Sequence, residues 1–196
     1  MNDHPPAMNA TGEDEPPRSS GADDVPAPPF AVIELELAAP QAWPLPEDVL
    51  QKEVERAAAA ALAQAAADGA VVERNGVPPR IEVLLGDDET IRQLNARWRG
   101  KDAPTNVLSF PAPAEMPFIP DVPWPLGSLA LAGGVMRQEA EARGVSLQEH
   151  LCWMVIHGIL HLLGHDHEED DEAVRMEALE RRALAQLGLA DPYAGT

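Results

Sequence analysis
The stretch His157-Gly158-Ile159-Leu160-His161-Leu162-Leu163-Gly164-His165-Asp166-His167 holds four of the six histidines in the chain, and the reading of the rest depends on it. It closes an apolar run that begins at Leu151 and continues through Cys152, Trp153, Met154, Val155 and Ile156. Side chains four apart in a helix leave one face a turn apart, so His157 and His161 can share one ion. Gly164 offers a left-handed exit from that helix, and His167 can then fold back as a third ligand. A buried helix with individually satisfied histidines is the plainer alternative. It accounts for one histidine far better than for three at this spacing.

The pattern His-x3-His-x5-His with a glycine after the second ligand is the skeleton of the zinc site H-E-x-x-H-x-x-G-x-x-H. In those proteases the glutamate is the general base, and here its place is taken by Gly158. Three neutral nitrogen ligands leave a fourth tetrahedral position open, the arrangement of a catalytic zinc site. The residues thus predict a metal hydrolase that is not built as a protease. His165 and Asp166 are candidates to orient a ligating ring, although a turn also favours both for solvation alone.

Composition narrows the class further. A chain of 196 residues suits one domain with a proper core. Residues 1–29 carry seven prolines and six acids against Arg18 alone, with hardly a large apolar side chain. They are expected to be a disordered acidic tail, followed by a domain over 30–190 and a short C-terminal tail over 191–196. The net charge of −19 argues against a general nucleic-acid binder. Yet Arg92, Arg97, Arg99 and Lys101 form the densest basic cluster, and a solvated face is the alternative reading of it. Cys152 stands alone, so no disulfide can form within the chain, and its apolar neighbours mark it as a buried residue rather than a nucleophile. No secretory leader is recognisable and no run reaches the roughly 18 apolar residues of a membrane span. A cytoplasmic protein without membrane contact is expected.

In order along the chain, Ala31–Ala38 alternates apolar and acidic residues as a half-buried strand, and alanine-rich Glu47–Ala67 reads as a helix ended by Asp68-Gly69. Arg80–Leu85 is a second strand. Asp87 or Asp88 can cap the following helix, which ends by Gly100 with its basic residues where the helix dipole favours them. Pro104–Pro111 is a third strand, the five prolines of 112–125 make a loop that borders a site, and Gly127–Ala132 is a fourth strand. Helices are expected over Val135–Arg143 and Ser146–Leu163, the latter opened by a capping box of Ser146 and Glu149. The acids Glu168–Glu172 lead into a last helix with Met176, Leu179, Ala183 and Leu187 on one stripe. They complement its N-terminus, although Glu168 is a candidate to handle a proton near the metal. The expectation is a single α+β (α/β) domain with about four strands in a mixed sheet, about five helices and the metal site on a central helix.

Two blocks taken together carry a resemblance. The histidine block, preceded by Leu94-Asn95 and by Arg99-Gly100-Lys101-Asp102 with Pro104-Thr105-Asn106-Val107-Leu108-Ser109-Phe110-Pro111, resembles the YbeY family of bacterial rRNA-maturation endoribonucleases. The similarity spans roughly residues 31 to 188. It implies a single-strand-specific, metal-dependent endoribonuclease acting in 16S rRNA 3′-end maturation and ribosome quality control, with one zinc ion on His157, His161 and His167. The family's functional arginine falls on Arg99, which would contact the RNA phosphate as the catalytic side chain, with Arg97 and Lys101 beside it in substrate binding. The attacking group would be a metal-bound water, whose pKa zinc lowers to about 7, with the RNA's own 2′-hydroxyl as the alternative that would change which end carries the phosphate, and no protein base is assigned. Expected partners are single-stranded RNA or rRNA and the ribosome or its proteins, not DNA. Another divalent transition metal would suit the same imidazoles. The chain departs from the family at Gly127-Ser128, where many members have Gly-Asp. Two other classes fit part of the pattern: a metal-dependent amide or peptide hydrolase, which would lack its glutamate base, and a non-catalytic ribosome-associated binding protein with a structural metal.

Overall fold
The computed structural model describes residues 31–113, 115–166 and 170–194. The expected tail over 1–29, Glu168 and His167 all fall outside these residues. Within them, strands β1 (Val32–Leu37), β2 (Pro79–Gly86), β3 (Val107–Pro111) and β4 (Trp124–Ala132) form one sheet in the order β1-β2-β4-β3. β1, β2 and β4 run parallel, and β3 closes the edge antiparallel to β4, so the sheet is mixed as expected. The helices are α1 (Glu47–Ala67), α2 (Asp88–Arg99), α3 (Gly133–Arg143), α4 (Leu147–Leu162) and α5 (Asp170–Gln186).

Alternation along the strands divides the helices between two faces. Ile81, Val83, Leu85, Leu129 and Leu131 face a large core shared with α1, α4 and α5. The intervening residues Leu84, Leu108 and Ala130 face a smaller core built with Ile91 and Leu94 of α2. α4 and α2 therefore pack on opposite faces of the sheet, but their C-terminal ends both reach Phe110 on the edge strand β3: the Trp98 ring meets the Phe110 ring at 6.2 Å, and a Cβ on Gly127 would meet both Phe110 O and Leu162 Cδ2. Alanines 57, 58, 60, 61 and 65 of α1 are all buried, which allows α4 to lie close against it. There Cys152 contacts the Glu53 carboxylate at 3.2 Å, and burial pushes its thiol up to about 12. That thiol is inert at neutral pH.

Two strands start more than one residue away from the expected position. β3 starts at Val107 rather than Pro104, because Asn106 Oδ1 accepts from Val107 N and turns the chain into the strand. β4 starts at Trp124, inside the proline-rich segment assigned to a loop. Pro125 is tolerated there because the register against β2 shifts between Arg80 and Ile81, an irregularity that needs no hydrogen bond from the proline nitrogen.

Candidate metal centre and basic face
The capping box predicted for α4 is present: Ser146 Oγ accepts from Glu149 N, and Glu149 Oε2 accepts from Ser146 N. At the other end Gly164 takes φ +87°, Gly164 N donates to His161 O, and His165 N donates to Leu160 O. These two bonds are the Schellman closure of a helix C-terminus. The same turn delivers the His165 carbonyl to His161 Nδ1 at 2.9 Å. His165 thus orients His161 through its backbone, a role that its side-chain chemistry in the sequence did not indicate.

His157 is held differently. Its Nδ1 lies 2.7 Å from Oε1 of Glu180, a carboxylate on α5 only 1% exposed. Trp153 Nε1 donates to Glu180 Oε2 at 2.9 Å, and the Tyr193 hydroxyl donates to the same oxygen. Burial alone would raise this carboxyl, but the hydrogen bonds from His157, Tyr193 and Trp153 outweigh it and hold the pKa below its usual value. Glu180 therefore stays ionised in the interior. Glu180 is not among the sequence-predicted site residues, although it carries a signal: four residues after Met176, it places an acid on the apolar stripe of the last helix.

With a carbonyl and a carboxylate as partners, both Nδ1 atoms carry protons, and each ring keeps its lone pair on Nε2. The two Nε2 atoms face each other at 3.1 Å. Two lone pairs at that distance repel unless a cation or a shared proton lies between them. Two nitrogens on one tetrahedral zinc ion at the usual bond length stand about 3.3 Å apart, so this pair fits two corners of such a site. Among the described residues no group of three His, Cys, Asp or Glu side chains is gathered for a metal. The third expected ligand, His167, is not among them.

The missing protease glutamate has a packing explanation. A Cβ on Gly158 would come within 2.8 Å of Leu129 Cδ2 and 3.2 Å of Ser109 Oγ. This position presses α4 onto β3 and β4 and does not face the imidazoles. Gly127 is equally constrained, at φ +151° with a would-be Cβ 2.5 Å from Phe110 O.

On the opposite face, Asp87 caps α2 by accepting from Thr90 N, and Gly100 ends the helix at φ +69°. Arg97, Arg99 and Lys101 are exposed at that end, whereas Arg92 is neutralised by Glu89 and Asp102. Trp98 is 62% exposed, with the Arg97 guanidinium 5.2 Å from its centroid and the Phe110 ring edge-on at 6.2 Å. Buried Asn95 supports the loop after the helix by donating to Ala103 O and accepting from Lys101 N through its own carbonyl. Asn106 donates to Glu139 and so ties the same loop to α3. Near the exit of α4, a cavity of about 330 Å³ is lined by Arg74, Met116, Pro117, Trp124, Leu162 and Leu163. The proline-rich segment thus borders a cavity at the end of α4 whose lining includes Leu162 and Leu163 but no histidine, and Arg74, stacked 4.0 Å over Trp124, adds a cation there.

The family model described as Endoribonuclease YbeY matches residues 43–188. The chain belongs to the YbeY family. A YbeY endoribonuclease from Nitrobacter hamburgensis is 41% identical over 98% of this chain and 95% of its own length. One from a Chelativorans strain is 49% identical over 78% of this chain and 87% of its own. The solution structure of TM1509 from Thermotoga maritima aligns with a TM-score of 0.45 at 22% identity, over 81% of this chain and 92% of that one.

Proposed function
We propose that this YbeY-family protein is a zinc-dependent endoribonuclease that hydrolyses phosphodiesters of single-stranded RNA in the cytoplasm, acting in 16S rRNA 3′-end maturation and ribosome quality control. Family membership supports RNA as the substrate. The observation that carries the metal-dependent part is the pair of Nε2 atoms that face each other at 3.1 Å, with an acceptor oxygen at each ring's Nδ1. His157 and His161 are two of the proposed ligands, and His167 is the third on sequence grounds. When bound, the ion supplies a nucleophile at neutral pH and Lewis acidity toward a phosphoryl oxygen.

The chain's own residues have distinct tasks. Arg99 holds two phosphate oxygens through its planar guanidinium and stabilises the charge that develops on them. Arg97 and Lys101 add cations beside it. Trp98 offers an exposed ring on which an unpaired base can stack, a contact open to single strands and closed to a paired helix. A protein of net charge −19 needs such a local cluster to hold RNA at all, and partners on the ribosome would bring it to its substrate.

Purified protein and His161→Ala, prepared identically, should be compared on an end-labelled single-stranded rRNA fragment. Loss of cleavage in the variant, with its thermal melt retained, is the expected result. Equal cleavage by both would place the activity elsewhere and bring forward the binding-protein reading.

A further inference from the structure
We infer that Glu180, held by Trp153 and by Tyr193 of the C-terminal segment, is the positioning residue that fixes the His157 imidazole as a metal ligand. The inference rests on His157 and His161 being ligands, and it concerns a carboxylate that touches neither metal nor RNA.

The number of donors around Glu180 sets the tautomer of His157. Oε1 of Glu180 faces His157 Nδ1, and Oε2 faces Trp153 Nε1 and the Tyr193 hydroxyl. An indole nitrogen can only donate, so the Oε2 side must accept. A carboxylate alone can accept at both ends. It therefore imposes the proton on His157 Nδ1 and leaves Nε2 with the lone pair that faces His161. In Glu180→Gln one end becomes an NH2 group. Turned toward His157, it demands the opposite tautomer and removes the ligating lone pair. Turned toward Trp153, it buries two donors against each other. Neither arrangement preserves the site. Tyr193 lies 13 residues further along the chain from Glu180, so the ligand ring is tied to a residue of the expected C-terminal tail over 191–196. The Trp153 and Tyr193 rings meet edge-on at 5.9 Å, which fixes both donors around the carboxylate.

The test uses the full chain and zinc as the probe. Affinity is measured by competition with a chromophoric chelator for wild type, Glu180→Gln, Tyr193→Phe, His161→Ala and, as a control for charge alone, Glu177→Gln. Glu180→Gln is expected to bind zinc on the order of 10–100-fold more weakly, Tyr193→Phe less so, and Glu177→Gln like wild type. Nitrogen-15 shifts of the metal-free protein are expected to report His157 as the Nδ1-H tautomer in wild type and not in Glu180→Gln. A wild-type His157 protonated on Nε2 would overturn the inference, as would Glu180→Gln with unchanged affinity and tautomer. Should Glu180→Gln not fold, the wild-type tautomer and Tyr193→Phe decide. Failure of the metal reading itself looks different: wild type and His161→Ala would then be equally unable to bind zinc.

Discussion
At the level of single residues, the most informative position is one without a side chain. Gly158 stands where a zinc protease carries its base, and the contacts at 2.8 and 3.2 Å from its would-be Cβ show that the position serves packing. Restoring the glutamate should therefore not create a protease. Overpacking together with burial of a carboxylate predicts that Gly158→Glu loses at least about 3 kcal/mol of stability. Urea denaturation would measure it, and a variant as stable as wild type would show that α4 is not pressed onto β4. The basic face allows a complementary experiment. Trp98 is 62% exposed and stands outside the metal pair, so Trp98→Ala should raise KM for single-stranded RNA about 5- to 150-fold, the equivalent of one base stack. Its kcat and its zinc affinity should not change. Arg99→Ala should instead lower kcat by about 100- to 1000-fold, as expected for a donor that acts on developing charge. An effect of Arg99→Ala on KM alone would demote it to a binding residue.

Among the elements, what the sequence disclosed and what it hid divide along local and long-range contacts. α4 was legible from end to end because its signals are local: a capping box at Ser146 and Glu149, imidazoles four apart, and a glycine exit. α2 was equally legible at its start, yet the dipeptide there does more than one cap. Asp87 caps α2, while the Asp88 carboxylate accepts from Gly134 N and Val135 N and so caps α3, 46 residues away. That partner has no spacing signature. Glu180 was missed for the same reason, since its ring lies 23 residues upstream on another helix. The start of β4 was lost to its prolines, which a register shift accommodates. The local cap can be tested through its pH dependence. The Ser146 hydroxyl and backbone N–H hold the Glu149 carboxyl below its usual pKa, so the group binds fewer protons when folded. Its contribution is present above the unfolded pKa of about 4.3 and is lost as pH falls through the folded value. Ser146→Ala should therefore melt below wild type at pH 7, by about 1 kcal/mol of stability, and the gap should narrow in acid below that value. A gap independent of pH would remove the carboxylate from the cap.

For the molecule as a whole, the question is how so acidic a chain holds a polyanion. The net charge of −19 repels RNA at long range, and Arg92 is already spent on Glu89 and Asp102, which leaves Arg97, Arg99 and Lys101 exposed at the end of α2. Each cation that neutralises a phosphate of a single strand contributes about −0.7 to the slope of log affinity against log salt. Three such contacts predict a slope of about −2 for binding of single-stranded RNA to His161→Ala, which should bind without cleaving. Lys101→Ala should flatten that slope by about 0.7, whereas Arg92→Ala should leave it unchanged because its charge is compensated within the protein. A fluorescence-anisotropy titration across a range of salt concentrations measures both. A slope of about −5 or steeper would require cations beyond this cluster, with Arg74 beside the cavity at the end of α4 the first to examine. A slope near zero would mean that stacking on Trp98 and delivery by a partner carry recognition, leaving the cluster to act on the phosphate only once RNA is in place.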